Sequence, residues 1–395
     1  MMLTSSPPDK QVLGAAGLAM FVAAANLRPA IAAVSPLVDR IRADLHLTAT
    51  GVALLTTVPT LAMGLCAPLA AVAARRTGLH RGVLLGLIVI AVATATRLAG
   101  GPTWLQLSCA AVVGAGIAIA QTLLPAVVKS RFADRAGLAT GIYTAGLGAG
   151  GAVAAGVSAP LAGFLGSWPG ALASWSVLAL AGAVAWVASR RSLALDRVAA
   201  PAGPLITGLP WRSEMAWRVT ALSAVNSALY YCELAWIVPL LQENGLGAGA
   251  GTLLTVMIVI QVVAMLAVPA VLGEQRDLRV GLALTAALTA LGFAGLALAP
   301  ETVTWLWILA LGVGHGGLFT LVLTVPVAVS RDSAEAGRIS AMAFFFGYGC
   351  AALAPMLVGI LRDATADFRL AFILLAAAAT LTIVPITRLQ KAAHS

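Results

Sequence analysis

The chain has 395 residues, of which 60% are hydrophobic and only 10% are charged, and its formal net charge is +9. Because a soluble domain carries about 25% charged residues, this composition argues against a soluble enzyme or binding domain. The basic residues fall mainly in short connections between apolar segments, where they set membrane orientation, so we expect the lipid bilayer and no nucleic acid as a partner.

Twelve apolar segments are long enough to cross a hydrocarbon core of roughly 30 Å as helices. No alternating ten-residue pattern of a β-barrel appears, so we predict an all-α membrane protein with twelve transmembrane helices. The predicted spans are 12–36, 50–73, 82–99, 103–127, 137–163, 169–188, 217–241, 250–272, 280–299, 303–328, 337–361 and 368–387. We divide the chain into an N-terminal six-helix half (1–188), a cytoplasmic linker (189–216) and a C-terminal six-helix half (217–395).

The two halves repeat each other at a spacing of 198 to 200 residues. The matching positions are Asn26 and Asn226, Leu54-Leu55-Thr56 and Leu253-Leu254-Thr255, Gly114-x-Gly116 and Gly312-x-Gly314, Arg131 and Arg331, and Ala136-Gly137 and Ala336-Gly337. Parallel six-helix repeats are typical of a large transporter class whose substrate site lies between the halves, near the bilayer midplane. The repeat therefore predicts that the chain moves a small solute across a membrane.

The distribution of basic residues predicts the orientation. If the N-terminus is inside, 18 of the 24 lysines and arginines lie in cytoplasmic segments. Since cytoplasmic loops carry an excess of Lys and Arg, both termini are expected in the cytoplasm. Arg97, near the outer end of the third span, is expected to reach the interface with its long side chain.

Arg28 lies well inside the first span, in the segment Asn26-Leu27-Arg28-Pro29. An arginine far from both interfaces costs free energy unless it faces water, a partner or a ligand. Pro29 removes a backbone donor and kinks the helix beside the cation. We predict a binding site for an anion or a strongly polar group, with a structural arginine that caps a neighbouring helix as the alternative.

Glu233 is the only acidic residue within a predicted span. It could pair with Arg28 across the two halves, act as a protonation switch, or simply contact water at the outer mouth. His315, between the glycines of the tenth span, could donate to an anion, shuttle a proton or be a hydrogen-bonded structural residue. Gln121 lies in the equivalent fourth span and offers neutral hydrogen bonds.

Four aromatic residues complete the predicted site, together with Asn26 and Asn226. A planar substrate could stack on side chains of the fifth, seventh and eleventh spans, although packing or interfacial anchoring explains such residues equally well. The aromatic residues of these spans are Tyr143, Tyr230, Tyr231, Trp236, Phe344, Phe345, Phe346 and Tyr348. Of these we assign Tyr143, Tyr231, Trp236 and Phe345 to the site. The four cysteines lie within apolar segments and lack metal-ligand spacing, so neither a metal site nor a cofactor is expected.

These segments resemble a known family. Asn26-Leu27-Arg28-Pro29-Ala30-Ile31, Leu54-Leu55-Thr56-Thr57-Val58-Pro59, and the fourth-span segment that holds Gly114, Gly116, Gln121 and Pro125 are similar to those of the cyanate-permease and 2-nitroimidazole-transporter family of the major facilitator superfamily. The resemblance extends over almost the whole chain. It implies a single-chain secondary transporter of the bacterial inner membrane, with small anions such as cyanate and small nitro-aromatics among the family's substrates.

We therefore predict a transporter, not an enzyme, that moves a small polar or anionic solute by alternating access. Arg28 would anchor the negative group, Gln121, His315 and the aromatic residues would shape the pocket, and Pro29 and Glu233 would serve gating or coupling. A monomer is expected, and a coupling proton is one of the open alternatives. The rival functions are a broad-specificity drug efflux pump of the same fold and a membrane receptor without net transport.

Overall fold

The computed structural model describes residues 10–47, 49–193, 209–272 and 277–389, and within these ranges it contains helices and no β-strand. The first helices are α1 (Lys10–Ala25), α2 (Pro29–Ala32), α3 (Val38–Asp44), α4 (Ala49–Cys66), α5 (Leu69–Thr96), α6 (Thr103–Arg131), α7 (Ala136–Leu165), α8 (Trp168–Ala188) and α9 (Arg190–Leu193). The others are α10 (Glu214–Glu243), α11 (Gly247–Leu272), α12 (Leu278–Leu298), α13 (Thr304–Val329), α14 (Ser333–Thr365), α15 (Arg369–Leu381) and α16 (Ile383–Thr387). Residues 194–208 of the predicted linker lie outside the described residues.

The described part of the chain contains eleven helical stretches that are long and apolar enough to cross a membrane. A shorter apolar stretch, Leu54–Cys66, corresponds to the second predicted span. The prediction of an all-α, multi-pass membrane fold is confirmed.

The first predicted span is interrupted at the segment that carries Arg28. Helix α1 ends at Ala25, and α2 begins at Pro29, which occupies its first turn. Proline is tolerated at that position because its missing N–H would have no intrahelical partner there. The predicted span over 12–36, with its kink at Pro29, thus consists of separate helices, and the break places a polar segment inside the bundle.

The second and third predicted spans meet at Gly78. After Pro68 the chain resumes helical geometry at Leu69, and α5 continues to Thr96 across Gly78, whose φ of 82° and ψ of 167° are not helical. Only glycine adopts such a backbone conformation readily. Gly78 is thus the turn that separates the two membrane crossings.

The glycine pairs of the sequence repeat have the same packing role in both halves. A Cβ atom on Gly114 of α6 would overlap the Pro59 carbonyl oxygen of α4, and one on Gly312 of α13 would lie 2.6 Å from the Ile260 side chain of α11. Their partners two residues on, Gly116 and Gly314, approach the backbones of α5 and α12 in the same way. Small residues allow membrane helices to approach this closely. Helices α6 and α13 are therefore each held between two neighbours.

Helices from before and after the linker contact each other mainly through α7 with α11 and α13, and through α14 with α4 and α6. Several of these contacts lie near the end of the bundle where α6 ends and α7 begins, which we call the basic end because Lys129, Arg131 and Arg135 are there. The Thr144 and Thr320 hydroxyls are 2.8 Å apart across this contact. The two groups of helices thus contact each other toward the basic end.

Large apolar side chains cover the outside of the bundle. Phe164 is 87% exposed, and Leu65 and Trp104 are each 67% exposed. Alanine and glycine fill much of the interior. An exposed apolar surface of this kind suits contact with lipid, where small residues at the helix interfaces drive packing.

Candidate functional site

The break between α1 and α2 positions Arg28. Its backbone is the N-cap of α2, and its side chain is half-buried. The guanidinium Nη1 donates a hydrogen bond of 3.1 Å to the Tyr231 hydroxyl of α10, and its Cζ lies 6.0 Å from the centre of the Tyr230 ring. The ring face attracts the cation, and the hydroxyl accepts one of five N–H donors. Among the described residues Tyr231 is the one that accepts a hydrogen bond from Arg28, so most of its N–H donors are available to a ligand.

Arg28 lines a cavity between the two groups of helices. The space not occupied by protein atoms, including the part that opens to solvent, is about 340 Å³. The lining residues are Arg28, Gln121, Ser223, Asn226, Ser227, Tyr230, Tyr231, Phe319, Val322, Leu323, Phe344 and Tyr348. This lining contains one cationic side chain and no Asp or Glu, so the Arg28 guanidinium has no carboxylate partner within the lining.

A second polar contact crosses the cavity. Gln121 of α6 donates from its amide nitrogen to the Tyr348 hydroxyl of α14 at 2.6 Å, and Tyr348 stacks on Phe344 with ring centres 5.6 Å apart. The contacts of Arg28 with Tyr231 and of Gln121 with Tyr348 each join a helix that precedes the linker to one that follows it. The polar residues of the site therefore bridge the two groups of helices.

Glu233 and His315 form a separate buried network beside the cavity. Both side chains are 0% exposed, and the His315 Nδ1 is 2.7 Å from the Glu233 carboxylate. The amide nitrogen of Gln261 on α11 donates to the other carboxylate oxygen at 2.5 Å. The edge-to-face contact of Tyr230 with His315, at 5.8 Å between ring centres, places Tyr230 between this network and Arg28.

Of the predicted site residues, Arg28, Gln121, Asn226 and Tyr231 come together in the cavity lining. The others lie elsewhere. The Asn26 side chain packs against Gly182 of α8, and its amide nitrogen donates to the Val22 carbonyl oxygen at 2.7 Å. Trp236 donates to the Pro355 carbonyl oxygen at 2.9 Å and thereby ties α10 to α14.

Tyr143, Phe345 and Pro29 also lie outside the cavity lining. Tyr143 is fully buried within α7, and Pro29 is buried in the first turn of α2. The backbone carbonyl oxygen of Phe345 on α14 lies close to Gly64 of α4, and the Phe345 ring contacts the Phe346 ring. These residues have packing environments in this conformation.

Several site residues were missed. Gln261 is the only amide side chain in the eighth predicted span, and that rarity could have identified it. Phe344 and Tyr348 were among the aromatic residues considered for stacking but were not assigned to the site; they are four residues apart and share one helical face, which the helical period could have indicated. Ser223 and Ser227 have the same spacing on α10, but small hydroxyl side chains are common in membrane helices and carry little information.

Arg97 does not reach the interface as predicted. It is 2% exposed, and its guanidinium donates a hydrogen bond of 2.8 Å to the Ala30 carbonyl oxygen of α2. The interrupted first span offers carbonyl groups without helical partners, and a buried arginine satisfies one of them. Arg97 thus supports the segment that carries Arg28.

Comparison with known proteins agrees with this architecture. The family model described as Major Facilitator Superfamily matches residues 13–355. The 2-nitroimidazole transporter of Escherichia coli (strain K12) is 33% identical over 369 residues, which cover 92% of each chain. The uncharacterized transporter YycB of Bacillus subtilis (strain 168) is 32% identical, covering 89% of this chain and 88% of that protein. The cyanate transport protein CynX of Escherichia coli (strain K12) is 30% identical, covering 87% and 88%.

A solved structure has the same fold. The proton:xylose symporter XylE bound to 6-bromo-6-deoxy-D-glucose aligns with a TM-score of 0.74 over 96% of each chain, at 10% sequence identity. Identity this low shows the fold alone. The chain belongs to the Major Facilitator Superfamily, and the resemblance to cyanate and 2-nitroimidazole transporters is confirmed.

Proposed function

We propose that this protein is a secondary active transporter that moves a small polar or anionic solute across the bacterial inner membrane by alternating access. The single observation that carries the proposal is the guanidinium of Arg28, which faces a cavity whose lining has no carboxylate. An arginine at membrane depth that faces a cavity marks a substrate pathway by default. An anion or a strongly polarised group is the ligand that fits it.

The chemistry of the pocket supports a small ligand with acceptor atoms. Arg28 presents a planar fork of N–H donors, which suits carboxylate, nitro or cyanate groups. Related proteins are a 2-nitroimidazole transporter and a cyanate transport protein, and both solutes carry acceptor atoms that a guanidinium can bind. We include cyanate-like anions and small nitro-heterocycles as the first solutes to test.

Alternating access is supported by the position of the polar contacts. Arg28 with Tyr231 and Gln121 with Tyr348 join helices from opposite sides of the linker. A ligand that replaces these contacts would exchange one set of bridging bonds for another, so the helices could rock around it. In this conformation the groups of helices meet toward the basic end, which the excess of Lys and Arg predicts to be cytoplasmic.

A coupling proton is the further part of the proposal. The Glu233–His315 pair holds two titratable side chains that are 0% exposed, and Tyr230 lies between it and Arg28. A change in proton occupancy of this pair would alter the charge beside the binding pocket. In this conformation the Glu233 carboxylate contacts His315 and Gln261, so the network supports the protonation switch more than the pair with Arg28.

Uptake into proteoliposomes tests the proposal. Radiolabelled cyanate and 2-nitroimidazole are supplied outside, and wild type is compared with Arg28→Ala and Arg28→Lys. Two charge-assisted hydrogen bonds contribute about 1.5–3 kcal/mol each, so Arg28→Ala should weaken binding by about a hundredfold or more. Arg28→Lys should also largely fail because lysine lacks the planar fork.

Arg279→Lys is the control, since Arg279 lies outside the cavity lining and a lysine can keep the ion pair that Arg279 makes with Asp277 at 2.6 Å. It should retain uptake. Full uptake in Arg28→Ala would contradict the anion-site proposal and would favour a broad drug efflux pump. Binding of a solute without net flux in wild type would favour a receptor.

A further inference from the structure

Two buried amide oxygens in the cavity lining have no hydrogen-bond partner in the part of the chain that the structure describes. They are the Oε1 of Gln121 and the Oδ1 of Asn226. The two residues are 1% and 2% exposed. Most buried polar atoms in folded proteins are paired, and an unpaired acceptor costs free energy. Two such acceptors in one cavity point to a ligand that donates to them.

The two polar atoms of the Gln121 amide differ in their contacts. Its nitrogen donates to the Tyr348 hydroxyl at 2.6 Å, which leaves the oxygen free for a different donor. Elsewhere in the cavity, Arg28 supplies N–H donors. The lining therefore offers donors at Arg28 and acceptors at Gln121 and Asn226, and a matching ligand needs acceptor atoms and donor atoms in one small molecule.

We infer that the substrate is a small planar organic acid whose ring carries at least one N–H donor in addition to the acid group. The aromatic rings of Tyr230, Phe319, Phe344 and Tyr348 line the cavity and provide flat apolar surfaces for such a ring. An anion that has only acceptor atoms would leave both amide oxygens unpaired. This inference rests on the proposed function and narrows its substrate class.

The arrangement also connects the ligand to the transport cycle. Gln121 lies on α6, before the linker, and Asn226 lies on α10, after it. A ligand with a suitable donor can therefore bind to helices from both sides. An acceptor-only anion can accept from Arg28 and from hydroxyl groups of the lining, but it makes no bond to the two amide oxygens.

Two acids of almost identical size and shape test the inference. Pyrrole-3-carboxylate and furan-3-carboxylate are both planar monoanions, and they differ in that a ring N–H is replaced by a ring oxygen. Their binding to the purified full chain is measured by isothermal titration calorimetry. We expect the pyrrole acid to bind about tenfold more tightly or better, because the furan acid leaves a buried acceptor unpaired.

The variant Asn226→Leu tests whether Asn226 is responsible for the preference for the pyrrole acid over the furan acid. This variant should bring the affinity for the pyrrole acid close to that for the furan acid, whereas Asn244→Leu, the same change at the end of α10 outside the cavity lining, should keep the wild-type ratio. Gln121→Leu repeats the test from α6. A purely structural role of either amide would weaken both acids equally and leave their ratio unchanged, which would overturn its assignment as an acceptor for the ligand.

The outcomes separate this inference from the proposed function. Equal, Arg28-dependent binding of both acids by wild type would overturn the donor requirement and leave the anion site intact. Binding of cyanate but of neither acid would also overturn the donor requirement and leave the anion site intact. Failure of cyanate, 2-nitroimidazole and both acids to bind wild type would overturn the anion site together with the donor requirement.

Discussion

Replacement of Glu233 by glutamine removes a titratable carboxylate from the centre of the C-terminal helices. The carboxylate is 0% exposed and has hydrogen-bond contacts with His315 at 2.7 Å and with Gln261 at 2.5 Å. Glutamine has nearly the same shape. Its amide oxygen can accept from Gln261, and its amide nitrogen can donate to the Nδ1 of a neutral His315 with the other tautomer. We therefore expect Glu233→Gln to fold and insert.

The expected loss of stability follows from the two contacts. Hydrogen bonds to a charged group contribute about 1.5–3 kcal/mol each and neutral ones about 1 kcal/mol, so two contacts lose roughly 1–4 kcal/mol of unfolding free energy. Removal of the carboxylate without a replacement, as in Glu233→Ala, should cost more because His315 and Gln261 then lose their common partner. The measurement is thermal unfolding of the purified protein in detergent.

Two transport assays separate the possible roles of Glu233. Counterflow exchanges labelled for unlabelled solute without net proton movement, whereas pH-driven accumulation requires the coupling proton. If Glu233 carries that proton, Glu233→Gln should retain counterflow and lose accumulation. Glu243→Gln is the matched control because Glu243 lies on the same helix and pairs with Arg362 at 2.5 Å, with both side chains about one-third exposed. An exposed pair of this kind contributes about 0–1 kcal/mol, so the control should behave as wild type.

Two other outcomes would refute the coupling role. A higher apparent affinity for external anion, with accumulation retained, would indicate that Glu233 competes for Arg28 and acts as a gate. Wild-type behaviour of Glu233→Gln in both assays would show that the network is structural.

The remaining predictions concern helix packing and orientation. Gly150→Ala should destabilise the protein by about 1–3 kcal/mol because its Cβ would overlap the Ala25 carbonyl oxygen, whereas Gly156→Ala on the same helix meets no atom within 4 Å and should be neutral or slightly stabilising in thermal unfolding. In a background without the native cysteines, an impermeant thiol reagent added to intact cells should label Asp367→Cys and spare Asp134→Cys, since the excess of Lys and Arg places residue 134 in the cytoplasm; the reverse pattern would contradict the predicted orientation.

The architecture was predictable because it depends on patterns that extend over many residues, so that no single residue decides them. Apolar length identified the membrane crossings, and the repeat of Gly114-x-Gly116 as Gly312-x-Gly314 corresponds to equivalent helix contacts. The interruption at Asn26 to Arg28 was predicted only as a kink. Its extent depends on contacts that are distant in sequence, such as the bond from Arg97 to Ala30, and the segment alone does not specify them.

The site was only partly predictable because helix orientation decides which side chain faces the cavity. Successive residues on a helix are rotated by about 100°. Of the three consecutive phenylalanines 344–346, only Phe344 therefore lines the cavity, together with Tyr348 one helical turn further on, and Phe345 does not. The sequence repeat does not predict which side chains face the cavity. Asn26 and Asn226 are equivalent in sequence, yet Asn26 packs on α8 and Asn226 lines the cavity.

The contacts of Glu233 lie within one group of helices, whereas those of Arg28 and Gln121 join the two groups, and this difference matters for function. From the sequence, a pair between Glu233 and Arg28 of opposite halves was one alternative. The structure shows the Glu233 carboxylate in contact with His315 and Gln261 instead, and all three residues lie after the linker. A network within one group of helices need not break when the groups rock against each other, whereas Arg28–Tyr231 and Gln121–Tyr348 must change. A proton held by Glu233 and His315 could thus persist through the rocking motion, and Tyr230, in contact with both His315 and Arg28, is the residue through which its charge would influence the binding pocket.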